Sequence, residues 1–144
     1  MKRLIILITI VLPLSAMAQA PTFESLFKEY STKEKCTTIN ISNAMLRSME
    51  VNIDAEYMQV ISVENETLVS TFRTQAHDML KDLEVIMSVN SGDKTVMICQ
   101  RSNDKGEVVE IYIMASRGDE CILMRIIGKN LELNNMNSIM NMVQ

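Results

Sequence analysis

The chain reads as an α+β domain. A four-stranded antiparallel meander fills the C-terminal half and packs against helices, with room for one or two N-terminal strands to extend it. Three observations carry this reading. Apolar residues recur at helical spacing in the first half. The second half alternates with period two between short polar breaks that contain glycine. A length of 144 residues, 47% hydrophobic and 22% charged, suits one globular domain and excludes a disordered or collagen-like chain.

The N-terminus stands apart from the domain. Met1-Lys2-Arg3 is a basic start, Leu4 to Leu14 is apolar except for Thr9 and Pro13, and Ser15-Ala16-Met17-Ala18 supplies small residues. This is the pattern of a secretory signal peptide over residues 1–18, cleaved after Ala18, since a cut after Ala20 would leave Pro21 first. The first cysteine is Cys36, so no lipid-anchor site stands at the cleavage point. No later stretch approaches the roughly 20 apolar residues of a membrane span. The expected working chain is one domain over residues 19–144, periplasmic, cell-surface or secreted, with no transmembrane segment. Losing Lys2 and Arg3 takes the Lys plus Arg count from 14 to 12 against 18 Asp plus Glu, a net charge of −6. No basic cluster offers phosphates a partner, so nucleic acid is not expected.

Phe23, Leu26, Phe27 and Tyr30 form the stripe of a two-turn helix capped by Thr22. Cys36 to Ile41 is a short β-branched strand. Ser42-Asn43 caps a brief helix carrying Ala44, Met45, Leu46 and Met49, and a second strand covers Tyr57 to Val63. Asn65 opens the longest helix, to about Lys81, with Leu68, Phe72, Ala76, Met79 and Leu80 on one face. Leu83–Asn90, Lys94–Arg101, Glu107–Ala115 and Glu120–Gly128 are the meander strands. Met136, Ile139, Met140 and Val143 mark a closing amphipathic helix.

Parity divides the meander into two faces. A two-residue loop at Arg117-Gly118 pairs Ser116 with Asp119 and sets Val109, Ile111 and Ile113 opposite Ile126, Met124 and Ile122. Glu110 then falls opposite Arg125 as an ion pair beside Tyr112 and Leu123. A loop at Ser91-Gly92 sets Met87 against Val96 and Val85 against Ile98. The other face carries Ile86, Met97, Tyr112, Met114 and Leu123 beside Glu84, Arg101, Glu110 and Arg125. That is too apolar for a fully solvated surface. Either N-terminal helices cover it or it meets a partner. Ile86, Met97, Glu110, Tyr112, Leu123 and Arg125 are therefore the candidate binding residues.

Catalytic constellations are sparse. His77, the one histidine, neighbours Asp78 on a helix, where adjacent residues diverge by about 100° and make no triad. No Cys-x-x-Cys or His-Glu-x-x-His spacing occurs, so no metal centre is expected, and nothing implies a cofactor. Cys99 and Cys121 flank a third strand at about 9.6 Å, too far to bridge, so any disulfide would involve Cys36. Thirteen methionines suggest copper(I), but Met87, Met124, Met136 and Met140 fall on core stripes and read as filler. Arg117-Gly118-Asp119 spells an adhesion tripeptide and reads as a turn. Asn40-Ile41-Ser42 and Asn65-Glu66-Thr67 match the N-glycosylation pattern, which matters only in a host that uses it.

A signal peptide, an early Phe-x-x-Leu-Phe-x-x-Tyr helix, then Ile41-Ser42-Asn43-Ala44-Met45-Leu46, the long helix, the meander and Ile126-Ile127-Gly128-Lys129-Asn130-Leu131 follow in order. In this the chain resembles the small exported Bacteroidetes proteins grouped as domain of unknown function family 4252. The resemblance implies an exported bacterial protein and brings no catalytic residues with it. The expected activity is a non-enzymatic binding or protein-interaction module. The alternatives are a carrier that encloses an apolar small molecule among Met and Leu side chains, and a hydrolase using Cys36, Cys99 or Cys121 with His77 as base.

Overall fold

The computed structural model describes residues 20–49 and 54–132. The expected signal peptide and the expected closing helix lie outside the described residues. In chain order the elements are α1 (Phe23–Tyr30), β1 (Cys36–Ser42), α2 (Asn43–Ser48), β2 (Ala55–Val63) and α3 (Val69–Leu80). The strands β3 (Glu84–Ser91), β4 (Lys94–Ser102), β5 (Val108–Arg117) and β6 (Glu120–Gly128) follow. No helix among the described residues is long and apolar enough to cross a membrane.

The sheet has six strands, all antiparallel, in the order β1-β2-β6-β5-β4-β3. The four-strand expectation is thus an understatement: β2 pairs with β6, placing Ile61 opposite Leu123, and β1 lies outside β2. Hydrogen bonding drives this extension. Without β2, β6 would leave a row of N–H and C=O groups unpaired beside the core.

Both tight hairpins differ from expectation by the same step. Ser91 pairs with Lys94 and Arg117 with Glu120, so the loops are Gly92-Asp93 and Gly118-Asp119. Gly92 and Gly118 have φ of 63° and 56°, while Asp93 and Asp119 have no positive φ, which is the glycine-first arrangement of a type II′ loop. The register moves by two residues, so faces are preserved and partners change. Ile111 meets Ile126, Ile113 meets Met124, and Arg125 meets Tyr112 rather than Glu110. In the other hairpin Val89 meets Val96 and Met87 meets Ile98. A bulge between Val85 and Met87 then shifts the register, so Val85 lies opposite Cys99 and Glu84 opposite Gln100.

Each face of the sheet carries a core. On one, Leu46 of α2 and Leu131 join Met58, Val96, Ile98, Ile111, Ile113, Met124 and Ile126. On the other, α1 contributes Phe23, Leu26 and Tyr30 and α3 contributes Val69, Phe72, Ala76 and Leu80 against Ile61, Cys99, Tyr112, Met114, Cys121 and Leu123. The helices start where their sequences say. Thr22 and Ser25 form a reciprocal capping box on α1, and Ser42 caps α2 by accepting from the Met45 N–H. Asn65 accepts from the N–H groups of Thr67 and Leu68 one turn ahead of α3, which begins three residues later than the cap suggests.

Candidate functional site

The face expected to meet a partner is the floor of the larger core. Leu123 has no exposure, and Tyr112 and Arg125 retain 7% and 5%. Met97 and Glu110 are half-buried, and only Ile86, the residue displaced by the bulge, remains exposed. The apolar character of this face has a plain cause. α1 and α3 place their own stripes on it, with the Phe23 and Tyr112 rings 6.3 Å apart and Tyr30 edge-on to Phe72 at 4.8 Å. The face is therefore not free to dock anything.

The charged candidates form two hydrogen-bonded groups on this floor. Arg125 donates to Glu24 of α1 at 2.6 Å and to Gln59 of β2 at 2.7 Å, with its guanidinium 4.6 Å over the Phe23 ring. Glu110 pairs with Arg101 of β4 at 3.1 Å and accepts from the Tyr112 hydroxyl at 2.7 Å. The expected Glu110–Arg125 pair is thus replaced by two pairs, because Arg125 stands opposite Tyr112 in the actual register. The Arg125 hydrogen bond holds the Glu24 carboxyl below the usual carboxylate range. Burial works to raise Glu110, but its bonds to Arg101 and Tyr112 outweigh that and keep it low. Burial opposes the charge on Arg125, yet its hydrogen bond to Glu24 leaves it more basic than usual. This network ties α1 to the sheet, and every charge in it is compensated.

The thiols are poorly placed for nucleophilic chemistry. All three cysteines are free, Cys99 and Cys121 being buried and Cys36 half-buried. Burial raises the Cys36 and Cys99 thiols and pushes Cys121 up to about 11, which suppresses the thiolate. His77 is exposed on α3. Among the described residues no group of three or more His, Cys, Asp and Glu is placed to hold a metal ion. Two clefts formed by described residues are open to solvent. One of about 670 Å³ lies between Glu24, Ile39, Ile41, Met45, Gln59 and Arg125, and one of about 500 Å³ is lined by Asn43, Asp54 and Lys129. Neither has the enclosed Met and Leu wall that a carrier requires. Arg117-Gly118-Asp119 is a turn, held by Arg73 donating to Ser116 at 2.6 Å and to the Gly118 carbonyl at 3.0 Å.

One surface was missed by reading faces alone. All eight residues of β3 are exposed, with Val85 at 50%, Met87 at 37% and Val89 at 44%. Among the described elements β3 has extensive contact only with β4. It is, among the described residues, an apolar strand with a bare edge. The signal lay in its composition, since Val85 to Ser91 contains no charge and no proline.

No curated protein and no solved structure matches the chain. A family profile described as Domain of unknown function (DUF4252) matches residues 30–139, which span the sheet from β1 to β6 together with α2 and α3. With the meander and the Ile41–Leu46 and Ile126–Leu131 segments inside that match, the chain belongs to the DUF4252 family.

Proposed function

We propose that the protein is an exported, non-enzymatic interaction module that takes up an extended segment of a partner along the free edge of β3. The observation that carries the reading is the exposure of all eight β3 residues, with Val85, Ile86, Met87 and Val89 outward and no charge from Val85 to Ser91. Natural sheets blunt their edges with lysine, proline, bulges or a covering helix, and among the described residues this edge has only the bulge at Ile86. A strand added there gains backbone hydrogen bonds for affinity and side-chain contacts on both faces for selectivity. The suppressed thiolates, and the compensated charges under α1, support binding over catalysis. Export is supported by the basic, apolar and small-residue order of residues 1–18.

Two measurements test the reading. Intact mass of protein recovered from a bacterial periplasm is expected to correspond to a chain beginning at Gln19, and a mass that keeps Met1 would refute export. Capture from periplasmic extract is expected to yield a partner with the wild type and to lose it with Ser88→Pro, which blocks the edge. An identical set of captured proteins with both would rule out edge docking.

A further inference from the structure

The same edge specifies a partner. We infer that β3 pairs with β3 of a second copy of this chain, antiparallel about a two-fold axis through Ser88, so that one sheet continues through two subunits. This rests on reading β3 as a docking edge, and adds the identity and register of the occupant.

Backbone geometry comes first. A two-residue loop closes on a hydrogen-bonded pair, here Ser91 and Lys94, and such pairs alternate along an antiparallel ladder. Ser88 and Asn90, opposite Met97 and Thr95, therefore turn their N–H and C=O groups away from β4. Two such edges brought together antiparallel at Ser88 satisfy each other's groups.

Side-chain faces select the register. Met87 and Val89 share a face with Ile98 and Val96, whereas Val85 and Asn90 share the opposite face with Cys99 and Thr95. With Ser88 on the axis, Met87 meets the partner's Val89. Beyond the bulged Ile86, Val85 meets the partner's Asn90 and Glu84 meets the partner's Ser91. Every pair then lies on a single face. A slip of one residue would set Met87 against the partner's Ser88 across faces.

Charge then favours a second copy over an arbitrary strand. Lys94 stands directly opposite Arg117, a like-charge cross-strand pair, with neutral Ser91 on its other side. Among the described residues no carboxylate forms a salt bridge with Lys94. In the two-fold register the partner's Glu84 occupies the next position in that row, about 9.6 Å away across two strand spacings, within reach of two long side chains. Glu84 carries its carboxylate on this face already, accepting from Gln100 at 3.1 Å. The symmetry supplies this contact twice. The rival edge, β1, is less open, since α1 and α2 lie along it and three of its residues are half-buried.

Sedimentation of protein purified after expression of the complete chain, over a micromolar to submillimolar series, is expected to show a monomer–dimer equilibrium. Ser88→Pro is expected to abolish the dimer with an unchanged circular dichroism spectrum, because the N–H it removes is unused within the subunit. Glu84→Lys and Lys94→Glu are each expected to weaken dimerisation about threefold to tenfold, and the double variant to restore it. The two side chains stand at opposite ends of the hairpin, about 20 Å apart, so recovery requires contact between subunits. A dimer untouched by Ser88→Pro, or no recovery in the double variant, overturns the inference. A wild type that stays monomeric also overturns it, and hydrogen exchange at Ser88 and Asn90 then judges the underlying reading. Fast exchange leaves the edge open for another strand, and strong protection removes both proposals.

Discussion

Arg125 is a buried cation held on several sides. Its guanidinium lies over Phe23, bonded to one exposed acid and one half-buried amide, and its Nε has no partner among the described residues. Glu24 keeps 70% of its side chain exposed, so their ion pair is partly screened and contributes about 1 kcal/mol or less. The direction with pH is nonetheless defined. A carboxyl whose folded value is depressed stabilises the fold above its unfolded value and loses that contribution as pH falls through the folded one. Glu24→Gln is therefore expected to lower the melting temperature at neutral pH. The gap to wild type should close as pH drops below the ordinary carboxyl value of 4.5. Thermal melts of both proteins from pH 7 to 3 check this, and a gap independent of pH would exclude the ion pair as its source.

At the scale of elements, α1 and α3 decide what the sheet face is for. A carboxylate introduced at Leu123 or Tyr112 would enter the core between sheet and helices without a partner, at a cost of several kcal/mol. Leu123→Glu and Tyr112→Glu are thus expected to abolish the cooperative thermal transition. Retention of a normal transition would mean that the helices do not seal this face. Much of this layer was legible beforehand. The stripe from Phe23 to Tyr30 and that from Leu68 to Leu80 mark the apolar faces of α1 and α3, and the unusual lipophilicity of the opposing strands is their complement. What the sequence did not disclose was which stripe lies on which face, a long-range packing choice with no local signature. The strand faces were legible despite a wrong loop. Placing glycine second rather than first shifted each hairpin by two residues, and period-two alternation is indifferent to that. Partner identities are not indifferent, which is why the Glu110–Arg125 pair dissolved. The bulge at Ile86 was invisible, because nothing in Glu84-Val85-Ile86-Met87 announces an extra residue, and it alone moved Glu84 to the other face.

Across the whole molecule, the sheet joins a contiguous meander to an N-terminal hairpin through β2 and β6. That junction pairs Val63 with Cys121 and Ala55 with Gly128, partners far apart in the chain and linked by no turn. Local pattern reading therefore left the extension open. The junction is also where both cores close, since Ile61 and Leu123 belong to one, and Met58 and Ile126 to the other. A chain ending at Arg117 is expected to lack a cooperative thermal transition altogether, rather than to retain a folded hairpin pair. A sharp melt in that truncation would show the halves to be independent.

The position of β6 also has a temporal meaning. It is the last strand among the described residues, yet it sits between β2 and β5 in the interior of the sheet. A polypeptide delivered from its N-terminus cannot complete either layer until Glu120–Gly128 arrives, and loop-closure entropy is spent before the long-range pairing returns it. Until then the segments already delivered stay slack enough to be drawn through a narrow channel. The export signal proposed for residues 1–18 and the late central strand would suit the same itinerary: transit first, fold afterwards.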